Sequence, residues 1–146
     1  MCGPEAAFRG LNRGGNMSGT LPLMALVVIA YNIVVFLTGA TMETGVAPIP
    51  LVSGAVWTVT VGDILIASGL IVLFLEIIAA TRTGSATIVN HALSMLVLLV
   101  ALVEFIVLPQ FGTSVFFQIV LLNVLDVIAG FTVTITSARR DFSVSE

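Results

Sequence analysis

Four carboxyl groups stand inside long apolar runs of this sequence: Asp63, Glu76, Glu104 and Asp126. Asn32, Asn90, His91 and Asn123 share those runs. A charged side chain at a bilayer centre costs about 2.5–3.5 kcal/mol on insertion scales, so each such residue needs a partner or a task. None of the four acids has a basic residue within its own run. A series of carboxyls able to take up protons is what a proton or cation path requires. A hydrogen-bonded neutral acid, or a contact to an Arg of another protein, requires the same residues.

Spacing sets these groups on faces. At about 100° per residue, Asn90, Ser94, Val97, Ala101 and Glu104 share one face of a helix. Asn123, Asp126, Gly130, Thr134 and Ser137 form a similar stripe further on. Gly62, Gly69 and Glu76 recur every seven residues with Asp63 adjacent, and Ala25, Asn32 and Gly39 do the same. One small-and-polar seam per helix is the pattern of close membrane packing, with interhelical hydrogen bonds worth about 0.6 kcal/mol each. Glu76 and His91 fall near the inner ends of successive runs. If those helices are neighbours, the two meet as a charge-assisted pair; otherwise Glu76 snorkels to the surface. The candidate intramembrane polar or protonatable residues are thus Asp63, Glu76, His91, Glu104, Asp126, Asn123 and Asn32.

Other chemistries are poorly served. Lysine is absent, which removes imine formation and with it a retinal-linked pump. The single cysteine, Cys2, cannot make the pair that a thiol oxidoreductase needs. One histidine falls short of a bis-His haem, and with one acid it falls short of a closed metal site. No phosphate-binding glycine loop, nucleophile elbow or zinc-protease motif occurs. The expectation is no catalytic residue, no cofactor, no metal and no enzyme.

The elements that must carry these residues are helices in a membrane. The 146 residues are 58% apolar and only 9% charged, with a mean hydropathy of +1.19. Soluble domains are about half apolar and about a quarter charged. The apolar residues gather in four runs, predicting an all-α bundle of two antiparallel hairpins. The expected helices cover 21–40, 55–80, 88–108 and 115–137. At about 1.5 Å per residue the first run's 20 residues cross the roughly 30 Å hydrocarbon core. Pro48 and Pro50 forbid a helix through 41–54, and Pro109 stops the third helix. Short connections predict that consecutive helices are neighbours. Asp63 and Asp126, each followed by apolar and small residues, also raise the reading of a weak duplication of the two hairpins.

The polar, Gly-rich residues 1–20 are expected to be a disordered tail, and Met17 is an alternative start within it. Residues 138–146 form a second tail. Orientation follows from the arginines. Arg9, Arg13, Arg82, Arg139 and Arg140 all fall on one side of the expected spans and none on the other, which places both termini in the cytoplasm. Trp57, Phe111, Phe116 and Phe117 then sit at the outer interface. The net charge of −3 and the lack of a basic run give no sign of nucleic-acid binding. The expected partners are the lipid bilayer and other membrane subunits or further copies of the chain.

Two functions fit this reading. The first is a small accessory or assembly subunit of a larger bacterial inner-membrane complex. The second is a proton- or cation-coupled transporter working as a homo-oligomer through Asp63, Glu104 and Asp126.

Overall fold

The structure, a computed structural model, describes residues 22–81 and 85–143. Arg9, Arg13 and Arg82 lie outside the described residues, as do the side chains of Arg139 and Arg140.

Three helices are long and apolar enough to cross a membrane: α2 (Val61–Ala80), α3 (Ser85–Val107) and α4 (Ser114–Ser143). The first helix is shorter than its apolar run. α1 (Met24–Ile33) continues through one π-helical turn, Val34–Thr38, and ends where Gly39 turns left-handed at φ 66°. Ten plus five helical residues extend about 22 Å, less than the ~30 Å core. At the other end of the chain, α4 runs on through Ser143 where a tail from 138 was expected.

The segment between α1 and α2 folds in an unexpected way. Residues 41–54 were expected as a loop and Ala55 as the start of a helix. Instead β1 (Gly45–Pro50) pairs antiparallel with β2 (Val56–Thr60), with a bulge between Gly45 and Ala47. Gly54 closes the turn at φ 86°, its N–H donating to the Leu51 carbonyl at 2.9 Å. Trp57 therefore stands on a strand, and Pro48 and Pro50 are tolerated because the ribbon has free edges. The helix begins only at Val61, behind a capping box. The Asp63 N–H donates to Thr60 Oγ1 at 3.2 Å, and the Thr60 N–H donates to Asp63 Oδ2 at 2.9 Å. The Thr44 and Met42 carbonyls accept the N–H groups of Val61 and Gly62, so the free donors of this helix start are met.

Packing places α4 between α2 and α3, its two largest interfaces, while α1 closes the ring against α2 and α3. This differs from the expectation that all consecutive helices are neighbours: among the described residues α2 and α3 form no substantial interface and stand diagonally across the bundle. The glycine seam of α2 decides it. A Cβ at Gly62 would lie 2.7 Å from Val115 Cγ2, and one at Gly69 would lie 2.9 Å from Leu122 Cδ1. Both sides advance by seven residues, so α2 and α4 run parallel in heptad register, and the absent Cβ atoms let the backbones close. A neighbour that docks so closely takes the face that α3 was expected to cover.

The exterior is apolar, with Ile71, Phe74, Leu99, Val103 and Ile128 all exposed, whereas Ser94, Asn123 and Asp126 are buried. This inside-out arrangement suits contact with lipid. The core is aromatic at one end: Tyr31, Phe111 and Phe116 are fully buried, with ring centroids 4.6–5.2 Å apart. The structure lends no support to a duplication. Asp63 is the third residue of α2 and exposed, whereas Asp126 is the thirteenth of α4 and buried.

Candidate functional site: a buried polar layer

Glu76 occupies the last position of the glycine seam and is 5% exposed. Its Oε1 accepts the backbone N–H of Leu23 at 2.7 Å and its Oε2 that of Met24 at 3.2 Å. These are the first donors of α1, which have no partner within the helix. A carboxylate there also meets the positive end of the helix dipole. Glu76 is thus turned inward and does not snorkel.

Asp126, 6% exposed, enters the same layer from α4 and faces Glu76. From α3 come Ser94, 2% exposed, and the buried His91, both within electrostatic reach of Asp126. The imidazole of His91 lies against Gly130, where any Cβ would collide with the ring, and it tilts over Phe131 at 5.8 Å between centroids. His91 therefore shares a layer with Glu76 because α4 brings both in, not because α2 and α3 are adjacent.

The layer carries unmet polar atoms. Asn90 Oδ1, Ser94 Oγ, Asn123 Oδ1 and Asp126 Oδ2 are buried and have no hydrogen-bond partner of good geometry. Asn123, 1% exposed, uses its amide N–H on the Ile119 carbonyl of its own helix at 2.8 Å, which leaves its oxygen unserved. Away from water, an unserved polar atom is expensive.

The remaining candidates lie elsewhere. Asn32 on α1 donates to both Glu104 oxygens on α3 at 3.2 Å, and also to the Val28 carbonyl at 3.0 Å. Glu104 therefore has a neutral donor in place of the expected vacancy. Asp63 sits at the mouth of α2 in its capping box with Thr60, so the expectation of an unpaired carboxyl in the bilayer interior does not fit it. Among the described residues, no three His, Cys, Asp or Glu side chains converge as a metal centre would need.

Sequence reasoning left out one participant in this layer and one polar group at the aromatic end of the bundle. Ser94 was visible on the Asn90 stripe but ranked as packing. Tyr31, the only tyrosine, shares a short 2.7 Å hydrogen bond with Thr113 Oγ1 and lines a recess of about 210 Å³ with Thr41, Met42 and Gln110. A lone tyrosine within an apolar run is the signal that could have marked it, because a buried hydroxyl seeks a partner.

No protein-family model matches the chain, and comparison with curated proteins and with solved structures finds no significant similarity.

Proposed function

We propose that this chain is a small accessory or assembly subunit of a larger bacterial inner-membrane complex, without chemistry of its own. In this reading it crosses the membrane four times, as two helical hairpins with both termini cytoplasmic. Support for a fourth span is that α1 and the residues following it accompany α2 from Glu76 as far as Gly62, where the Met42 carbonyl accepts the Gly62 N–H at 2.9 Å. The one-sided arginines support the orientation.

The observation that carries the proposal is the β1–β2 ribbon. It stands outside the helical core with Val52 110%, Val56 64% and Trp57 49% exposed, and its strands pair only with each other among the described residues. Free strand edges beside exposed apolar and aromatic side chains are what a second polypeptide adds to. The bundle's own acids support the same reading, since Asp63 caps α2, Glu76 caps α1 and Glu104 is held by Asn32. The carrier reading ranks second, because Asp63, Glu104 and Asp126 sit in three separate settings.

Native mass spectrometry of the gently extracted, tagged protein tests this. A stoichiometric complex with other polypeptides is expected, and it should be lost when residues 46–59 are replaced by a short Gly-Ser linker. A clean homo-oligomer, unchanged by that replacement, would remove the subunit reading.

A further inference from the structure

Residues 45–60 carry no charged side chain, and the ribbon they form is apolar on both faces. Ile49 opposes Trp57 across the strands on one face, and Pro50 opposes Val56 on the other. Leu51 and Val52 extend beyond them at the tip, with Val52 fully exposed. A ribbon with one face on protein and the other in water alternates apolar with polar residues. This one does not, so a single docked polypeptide would leave an apolar face bare. The two feet of the ribbon stand at a fixed level. β2 ends at Thr60, directly before α2, and the Thr44 carbonyl accepts the Val61 N–H at 3.0 Å. The 20 residues of α2 extend about 30 Å, the thickness of the hydrocarbon core, which sets both feet at its boundary. The apolar exterior of α2 begins in its first turn, at the exposed Ile64.

We propose that the β1–β2 ribbon is a lipid-binding anchor, seated in the headgroup layer with the Ile49–Trp57 pair and the Leu51-Val52 tip against the acyl chains. Open strand edges do not occur in the hydrocarbon itself, because their N–H and C=O groups would go unserved. In the headgroup layer, water and lipid oxygens serve them. A tryptophan there keeps its ring in lipid and its indole N–H among polar groups. Pro48 and Pro50 lower the demand further, since each removes an N–H donor from β1. β2 contains no proline, so its outer edge keeps its donors for a partner strand. The anchor goes beyond the subunit reading and does not depend on it: lipid takes the faces and the tip, and a second polypeptide takes the edge.

Trp57 is the only tryptophan, so its fluorescence reports on the ribbon alone. The full chain is reconstituted, without partners, into phosphatidylcholine vesicles whose acyl chains are unlabelled, brominated near the headgroup, or brominated near the chain end. Iodide present on both sides of the membrane probes contact with water. Shallow bromine should quench Trp57 strongly and deep bromine more weakly, and iodide should quench it less than free tryptophan in the same buffer. The double variant Leu51→Asp, Val52→Asp, at the exposed tip, should lift the ribbon out, so that bromine quenching falls and iodide quenching rises. Full iodide quenching of the wild type with no effect of bromine places the ribbon in water and overturns the anchor. Protection from both quenchers means that protein covers Trp57, a second copy of the chain included, and overturns it too. Strongest quenching by deep bromine overturns the headgroup placement, and bromine quenching unchanged in the double variant overturns the role of the tip. Partners are absent from the vesicles, so none of these outcomes decides the subunit reading, which rests on the native complex.

Discussion

Glu76 on α2 holds the first turn of α1, accepting the Leu23 N–H at 2.7 Å across 53 residues of chain. A helix start is ordinarily capped by a nearby Ser, Thr, Asp or Asn. Here the Leu23 side chain caps nothing, and a buried acid from the neighbouring helix does that work.

Removing that acid should loosen α1 specifically. Hydrogen bonds to charged groups contribute about 1.5–3 kcal/mol, so Glu76→Ala is expected to lose roughly 2–3 kcal/mol and Glu76→Gln less. Equilibrium unfolding in mixed micelles reads the total loss. Hydrogen exchange at the α1 amides should rise before that of α4, and protection that falls evenly over all four helices would argue against a local cap.

Gly130 is the seat of the His91 ring. Overpacking of a filled core typically costs about 1–3 kcal/mol, and Gly130→Ala should fall within that range. The double variant Gly130→Ala, His91→Ala should recover part of the loss, because the colliding ring is gone. Strict additivity in a double-mutant cycle would mean that the two residues do not touch in the folded protein.

Asn32 and Glu104 join α1 to α3. Interhelical hydrogen bonds of this kind average about 0.6 kcal/mol, with a maximum near 1.7. A cycle built from Asn32→Ala and Glu104→Gln should give a coupling of that size. Zero coupling would assign Asn32 to the Val28 carbonyl of its own helix alone.

Thr60 and Asp63 start α2. Thr60→Val removes a cap and should cost about 1 kcal/mol. Asp63→Asn should cost less, and it should leave both partner assembly and the pH-gradient decay of reconstituted vesicles unchanged. A change in gradient decay with Asp63→Asn would restore the carrier reading at that residue.

Much of this bundle could be read from apolar length and seven-residue spacing. The runs that became α2, α3 and α4 are long enough to be unmistakable, and the Gly62–Gly69–Glu76 seam is the buried face of its helix. What escaped was neighbourhood: a seam says that something packs there, not which helix does. Short connections favoured α3 as the partner of α2, whereas the shape match of two glycines to Val115 and Leu122 selected α4. The ribbon escaped for another reason. Val56-Trp57-Thr58-Val59-Thr60 alternates with a period of two, but it abuts an apolar helix and its hydropathy merges with it. The Thr60-x-x-Asp63 capping signature was the boundary marker within that run. The orphan oxygens belong to three dimensions alone, since nothing in the spacing of Asn123 and Asp126 tells which of their atoms go unserved.

The parallel contact between α2 and α4 constrains the order in which the protein can be made. During synthesis α2 enters the membrane long before its main partner exists, so Gly62, Gly69 and the inward side of Glu76 must wait beside lipid, α1 or the insertion machinery. Of the four helices, the one that sits in the middle leaves the ribosome after the other three. A chain truncated before residue 114 would therefore be inserted yet unfinished, and the bundle can lock only once α4 has been made.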